Sequence, residues 1–316
     1  MESKPPQHLR RGAEAKCRVS ADAFEAVSGD LAAATRRAYA TRLRLVETAL
    51  DGVPLADSSL AEVLAAMAAR GRSPSTLAQT VAAVRCAARR LGEPDPVGPQ
   101  CGIALRAHRR AAGPSRQVAG VDWAAADDAA DIAARRGDAI GLRNAAIVAV
   151  MSDALLRVSE TSALDVADIA RADDGAGHVR VRRSKTDQEG VGASLFLRRA
   201  TIERVDAWLR AASIDGGPLF RRVRKGGHVT ADRLTARAVR AVITHSASAV
   251  GIDGASGHSL RIGSAQSLVR AGAQLPEAML AGRWTTPAML SRYAEAELAA
   301  HSAVARLRPD NPTPQS

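Results

Sequence analysis

The carboxyl-terminal half of the sequence carries side chains that could together surround one phosphate diester. In chain order they are Arg157, Glu160, Lys185, His258, Arg261, Trp284 and Tyr293. In-line attack on a phosphodiester adds a second negative charge to its non-bridging oxygens, so catalysis needs fixed donors that pair with developing charge. Arg157 and Arg261 can each supply a bidentate fork, and His258 and the indole N–H of Trp284 add two further donors. This set predicts phosphoryl transfer without a metal ion.

Tyr293 is the predicted nucleophile. The chain has only two tyrosines, and Tyr39 lies on the apolar stripe of an amino-terminal helix, so the carboxyl-terminal half offers a single phenol. Two nearby arginines and a polarised phosphate would favour its phenolate form. A phosphotyrosyl ester conserves the energy of the broken bond, which explains why no ATP-binding motif is needed.

Two charged residues have predicted supporting roles. Lys185 would be the general acid that protonates the departing oxygen, since a lysine on a flexible hairpin can reach into the site of a bound phosphodiester. It is one of only four lysines among the 44 Lys and Arg residues of the chain. Glu160 would orient Arg157 or the general acid. It is not expected to bind a metal ion, because no second acidic residue accompanies these positions.

Motifs of other enzyme classes fail in this sequence. The segment 257–261 begins as a nucleophile elbow but ends in Arg261 where the sharp turn needs glycine. Residues 190–192 lack the third glycine of a dinucleotide fingerprint, and no phosphate-binding P-loop is present. The three cysteines are widely spaced without a C-x-x-C pair, which indicates ordinary thiols. The sequence therefore predicts neither a cofactor nor a metal site.

The order and spacing of these residues resemble the tyrosine recombinases, also called the lambda-integrase family. The resemblance rests on Arg-x-x-Glu at 157–160, a lysine in a hairpin, His-x-x-Arg at 258–261 and Trp284 nine residues before Tyr293. It is closest to the Cre recombinase branch, because Trp284 stands where many members have histidine. The resemblance implies a site-specific DNA recombinase that forms a 3′-phosphotyrosyl intermediate and leaves a 5′ hydroxyl. It further implies a homotetramer on two double-stranded DNA sites, working through a Holliday junction.

Two alternative functions stay open at this point. A type IB topoisomerase has nearly the same chemistry but relaxes supercoils as a monomer. A DNA-binding regulator could have kept the fold and lost turnover. The complete set of catalytic residue types argues against the regulator, and the separate helical domain with its carboxyl-terminal helix argues for a recombinase over the topoisomerase.

Composition agrees with a polyanionic partner. Lys and Arg number 44 against 33 Asp and Glu, a formal net charge of +11, although a genome rich in Arg and Ala codons would give the same balance. The longest strongly apolar run, 145–151, is far shorter than the ~20 residues that cross a bilayer, and residues 1–16 lack a signal-peptide core. We therefore expect a cytoplasmic protein with no membrane partner.

Hydrophobic periodicity predicts a mainly α-helical chain. Three amino-terminal helices are predicted. The first covers about 35–50, the second begins at a capping box formed by Ser59 and Glu62, and the third runs from its N-cap at Ser73 to Gly92. Apolar residues that alternate with polar ones before and after a charged loop, at 179–181 and 195–197, predict a β-hairpin. Helical patterns follow at about 201–213, 231–250, 259–271, 276–282, 286–293 and 297–307.

These patterns predict a helical amino-terminal domain and an α+β domain with a small β-sheet. The resemblance implies that the first domain clamps DNA and that the second is the catalytic domain. The predicted boundaries are a flexible tail at 1–18, the helical domain at 19–107, a basic linker at 108–120 and the catalytic domain at 121–316. Several arginines that lie off the apolar stripes are predicted DNA contacts, weighed against an ordinary solvated face: Arg36, Arg37, Arg44, Arg85 and Arg89. The last helix has a short apolar side at Ala300, Ala303, Val304 and Leu307, so it needs a docking surface. The resemblance implies that this surface belongs to the next protomer; the alternative is that the helix packs back on its own domain.

Overall fold

The computed structural model describes residues 19–113, 118–182 and 192–300, together with residues 302, 304 and 307. The chain divides into two compact units, Met1–Arg116 and Gln117–Ser316. The predicted tail at 1–18 and the hairpin lysine, Lys185, lie outside the described residues. The predicted division into tail, helical domain, linker and catalytic domain stays a proposal.

The described part of the amino-terminal unit is helical. Its helices are α1 Ala21–Ala26, α2 Ala33–Leu50, α3 Asp57–Ala69, α4 Pro74–Leu91 and α5 Pro99–Ala112. The ends of α4 agree with the prediction. The hydroxyl of Ser73 accepts a hydrogen bond from the N–H of Thr76 at 3.2 Å, and Pro74 occupies the first helical position. Gly92 ends the helix with a φ of 69°, a left-handed conformation that glycine adopts without steric cost.

The start of α3 differs from the prediction. The capping box of Ser59 and Glu62 is wrong, because Ser59 already lies at the third helical position and its hydroxyl accepts a hydrogen bond from the N–H of Ala56 at 3.0 Å. The carboxylate of Asp57 instead accepts from the N–H groups of Gly98 at 2.8 Å and Cys101 at 3.0 Å. The first residue of α3 therefore satisfies the free backbone donors of α5.

Helix α5 also extends into the predicted linker. Residues 108–112 are helical, since the first helix-breaking residue, Gly113, comes only after Ala112. The ring Nε2 of His108 lies 2.7 Å from the carbonyl oxygen of Arg72, which ties this last part of α5 to the turn before α4.

The apolar faces of these helices share one core. Phe24, Leu43, Leu64 and Leu77 are buried in it. Tyr39 packs against Phe24 with ring centroids 6.2 Å apart. This tyrosine is therefore a packing residue of the amino-terminal unit.

The carboxyl-terminal unit combines helices with small antiparallel sheets, which confirms the predicted fold class. Its helices are α6 Trp123–Ala134, α7 Ala139–Asp153, α8 Val158–Ala163, α9 Arg199–Ala211, α10 Ala236–Ala249, α11 Ser259–Arg270, α12 Leu275–Gly282, α13 Pro287–Tyr293 and α14 Glu295–Ala300. Its strands are β1 Ile169–Arg171, β2 Gly177–Val181, β3 Ala193–Leu197, β4 Arg221–Val223 and β5 Val229–Arg233. One sheet has the order β1-β2-β3, and β4 pairs with β5.

Strands β2 and β3 pair antiparallel, at the two segments where alternation predicted the strands of a hairpin. Val179 lies opposite Leu195, and buried residues alternate with exposed ones along β2. The helix predicted over 231–250 is wrong at its start, because residues up to Arg233 belong to β5. Helix α10 begins only after Thr235, whose hydroxyl accepts a hydrogen bond from the N–H of Ala238 at 3.2 Å.

Helix α7 forms the centre of the carboxyl-terminal unit. Every residue from Ala145 to Ser152 is buried, and the helix packs against α6 and α9. The apolar residues around α7 form the main core cluster of this unit. A second apolar cluster includes Leu155, Ala265, Trp284 and Leu290, and it joins the end of α7 to α11 and α13. These two clusters fix the backbone on which the candidate catalytic residues lie.

The end of the described chain gives only part of the predicted docking helix. α14 ends at Ala300, and the side chains of Val304 and Leu307 are 70% and 81% exposed. In the described ranges, no helix is both long and apolar enough to cross a membrane.

Candidate active site

The Arg-x-x-Glu motif is a local unit that begins α8. Arg157 is the N-cap residue and Glu160 lies at the third helical position. One carboxylate oxygen, Oε2, accepts from the backbone N–H of Arg157 at 2.8 Å, and the other, Oε1, accepts from its Nη1 at 2.7 Å. Glu160 therefore binds both the backbone and the guanidinium of Arg157; its role as an orienting residue stays a prediction.

Glu160 is buried and remains charged. Burial alone would raise the pKa of its carboxyl group. The charge of Arg283, together with the hydrogen bonds from Arg157 and Arg283, outweighs burial and holds the pKa below its usual value. The carboxylate is thus a fixed negative charge shared by two guanidinium groups.

Arg261 lies on the first turn of α11 and is 2% exposed. Its Nη1 donates to the carbonyl oxygen of Leu155, and its Nη2 donates to that of Gly282. The guanidinium carbon lies 5.0 Å from the ring centroid of Trp284. A guanidinium has five N–H donors, so these two contacts orient Arg261 and leave other donors for a ligand.

The positive charges of the site lower two pKa values. Burial, followed by the charges of Arg157 and Arg283, lowers the pKa of Arg261 to about 10. His258 is the N-cap residue of α11. Desolvation, then the charges of Arg261, Arg157 and Arg240, lowers its pKa. At pH 7 the imidazole is therefore mainly neutral, with one donor and one acceptor nitrogen.

Trp284 and Tyr293 lie side by side. Their ring centroids are 5.8 Å apart, and the carbonyl oxygen of Tyr293 accepts a hydrogen bond from Nε2 of Gln266 at 3.2 Å. The indole Nε1 of Trp284 is buried and has no acceptor among the described residues. A buried donor without a partner is costly, and a ligand oxygen would relieve that cost.

Five of the predicted catalytic residues line one groove of about 900 Å³: Arg157, His258, Arg261, Trp284 and Tyr293. Glu160 does not line the groove but forms an ion pair with Arg157, which does. Lys185 lies outside the described residues. The catalytic roles of these residues are a proposal.

Two further arginines, Arg240 and Arg283, line the same groove, and sequence reasoning did not place them in the site. Arg283 donates from Nη2 to Oε2 of Glu160 at 2.9 Å, which is 123 residues away in the chain. Its position directly before Trp284 was the only signal in the sequence.

The predicted DNA-contacting arginines of the amino-terminal unit fall into two groups. Arg44 pairs with Glu25 at 2.7 Å, and Arg85 pairs with Asp95 at 3.1 Å. Both side chains are half exposed in these pairs, so the pairs are weak and do not prevent phosphate contacts. The other three have no ion pair in the described part of the chain: Arg36, Arg37 and Arg89.

The described residues hold no group of three or more His, Cys, Asp or Glu side chains that could bind a metal ion. The donors of the groove are instead guanidinium, imidazole and indole N–H groups. Such donors recognise anionic oxygens.

Comparison with known proteins places these features in a wider group. The model of the phage integrase family matches residues 125–299, which is more than half of the chain. The chain is 31% identical over 167 residues to recombinase Cre of Escherichia phage P1, a match that covers 48% of this chain and 49% of that protein. The matched region thus spans about half the length of that relative.

Solved structures share the fold. The Tn1549 transposon integrase in complex with a circular intermediate DNA has a TM-score of 0.63 at 13% identity, covering 89% of this chain and 99% of that chain. XerH site-specific recombinase bound to palindromic difH substrate has a TM-score of 0.61 at 14% identity, covering 86% and 79%. A lambda integrase dimer bound to a COC′ core site has a TM-score of 0.59 at 16% identity, covering 94% and 79%.

Proposed function

The chain belongs to the phage integrase family, and on this premise we propose that it is a site-specific DNA recombinase that cuts and rejoins strands through Tyr293. The membership confirms the family that the motif spacing predicted. The observation that carries the proposal is the groove in which two arginines, a histidine, an indole N–H and a tyrosine meet.

The proposed cleavage step follows from this arrangement. The phenolic oxygen of Tyr293 bonds to the scissile phosphorus, and the bond from phosphorus to the 5′ oxygen breaks. The neutral form of His258 has an acceptor nitrogen for the phenol proton, and Lys185 gives a proton to the departing 5′ oxygen. Arg157, Arg261 and the indole N–H of Trp284 pair with the charge that the phosphate oxygens gain.

The proposed partner is double-stranded DNA, and the proposed assembly is a homotetramer on two sites that passes through a Holliday junction. The net charge of +11 supports a polyanionic partner. The exposed apolar side chains of Val304 and Leu307 support a contact with a second protomer. The solved structures of XerH, the Tn1549 integrase and lambda integrase described above are DNA complexes.

The test traps protein-linked DNA. The full chain is incubated with a pool of random-sequence DNA duplexes in excess chelator, denatured, and captured so that only covalently attached DNA is sequenced. We expect a single enriched cleavage sequence from the wild-type protein. Tyr293→Phe should give none, because the ring stays and only the nucleophilic oxygen is lost.

Tyr39→Phe is the matched control, since it removes the other phenol of the chain from a packing position. It should yield the same protein-linked DNA as the wild type. Attached DNA in the Tyr293→Phe variant would remove Tyr293 from the mechanism. Relaxation of a supercoiled plasmid that carries one recovered site, with no exchange between two such sites, would favour the topoisomerase alternative.

A further inference from the structure

Arg283 occupies a backbone conformation that its residue type disfavours. It is the C-cap residue of α12 with a φ of 52° and a ψ of 47°. Left-handed backbone is strained for a residue with a Cβ atom and is natural for glycine. Strain of this kind persists where the surrounding structure holds it, and it is concentrated at functional sites. The side chain of Arg283 is therefore the feature to explain.

The guanidinium of Arg283 is only partly satisfied. Its Nη2 donates to Oε2 of Glu160 at 2.9 Å and to the carbonyl oxygen of Leu155 at 3.3 Å. The side chain is 11% exposed. Its Nε and Nη1 are buried and have no hydrogen-bond acceptor within the described residues. Nε carries one N–H group and Nη1 carries two, and leaving the donors of a buried cation unpaired is costly. An anionic oxygen is the partner they fit.

The charge of the site also exceeds what the protein neutralises. Arg157, Arg240, Arg261 and Arg283 line the groove, and Glu160 is the carboxylate that pairs with Arg157 and Arg283. Four guanidinium charges and one carboxylate leave three positive charges. A phosphodiester has one negative charge and gains a second in the transition state of in-line attack. The positive charge of the groove therefore suffices to pair with the charge that develops during the reaction.

We propose that Arg283 is a further catalytic residue, which binds a non-bridging oxygen of the scissile phosphate through Nε or Nη1. Both nitrogens are covered by protein in the DNA-free chain, so binding requires the guanidinium to turn into the groove that it already lines. The inference rests on the proposed function, since it needs a scissile phosphate at this groove.

The main test variant is Arg283→Gly, because glycine adopts the left-handed backbone without strain and so keeps the turn after α12. Arg283→Gln is the second variant, which retains a hydrogen-bonding side chain but loses the charge. The matched control is Ser213→Gly, an exposed residue of the same unit whose φ is 50°. Each is assayed by single-turnover cleavage of a duplex that contains the recovered site.

We expect both Arg283 variants to cleave about 10²-fold more slowly, which is the usual effect of losing one donor to a developing oxyanion. Affinity for the uncleaved duplex should change only a few-fold, and Ser213→Gly should match the wild type. On a duplex with a neutral methylphosphonate at the scissile position, the defect of both variants should shrink to less than tenfold. The neutral linkage lacks the charge that Arg283 neutralises.

Equal defects on the phosphate and methylphosphonate duplexes would show that Arg283 only ties α12 to α8, and the proposal would be wrong. Wild-type cleavage rates in both variants would also overturn it. These outcomes differ from failure of the proposed function, in which the wild-type chain itself forms no Tyr293-linked DNA.

Discussion

Replacing Glu160 by Gln should destabilise the carboxyl-terminal unit. The carboxylate is 3% exposed as a side chain and pairs with Arg157 at 2.7 Å and Arg283 at 2.9 Å. The amide of Gln has the same shape as the carboxylate but leaves the guanidinium groups of Arg157 and Arg283 without a counter-charge. Its NH₂ group would also face N–H donors where the carboxylate has an acceptor oxygen. Breaking a buried ion pair costs about 3–5 kcal/mol. Because the amide oxygen still accepts one hydrogen bond, we expect about 3 kcal/mol, which lowers the melting temperature of a unit of this size by about 6–12 °C.

Tryptophan fluorescence is the assay, since all three tryptophans lie in this unit: Trp123, Trp208 and Trp284. Urea unfolding of the full chain followed by this signal reports the carboxyl-terminal unit alone. Glu203→Gln makes the same chemical change at an exposed position of α9 and should stay within about 0.5 kcal/mol of the wild type. A Glu160→Gln midpoint equal to that of the control would refute the role of Glu160 as the shared counter-charge.

The effect should also depend on pH. The pKa of Glu160 is lowered in the folded chain from its ordinary value of 4.5. The unfolded chain therefore binds the proton more readily, and the stabilisation is fully present above about pH 4.5. It is lost as the pH falls from there through the lowered folded pKa. The difference between wild type and Glu160→Gln should accordingly shrink in acid, and a constant difference would assign the effect to the NH₂ group that faces N–H donors rather than to the lost charge.

Three further experiments test two catalytic assignments and the proposed assembly. Trp284→Phe keeps an aromatic ring beside Arg261 and removes only the indole N–H, so cleavage should slow by about 10²-fold while duplex binding, measured by gel shift, stays near wild type. Lys185→Ala should slow cleavage of normal DNA but cleave at a near wild-type rate a duplex whose bridging 5′ oxygen is replaced by sulfur, because a thiolate leaves without a proton. Arg261→Ala should show no such rescue. If Lys185→Ala is equally slow on both duplexes, another residue supplies the proton. A chain ending at Glu297 should still bind one half-site but should form no complex with two paired sites in native gels. Normal recombination by this shortened chain would show that the residues after Glu297 are not needed for assembly.

The sequence alone determined the family and much of the local structure. The order of residue types from Arg157 to Tyr293 indicated the tyrosine recombinases, and the phage integrase family model matches this part of the chain. Phosphoryl transfer through the phenol of Tyr293 stays a prediction. Helix α4 was predictable from Ser73 and Gly92, because caps act between residues three or four apart. The start of α10 was missed, since the apolar and polar pattern near Arg233 serves a short strand as well as a helix.

Only the tertiary structure decided which charges meet. Arg261 binds the carbonyl oxygen of Leu155, which lies 106 residues away, and Arg283 pairs with Glu160 across 123 residues. A spacing pattern contains no information about such partners. Whether an arginine is buried in a charged groove or paired at the surface, as Arg44 is with Glu25, depends on how helices distant in the chain pack. Burial then sets the strength of each charge interaction, because the protein interior screens charge far less than water does.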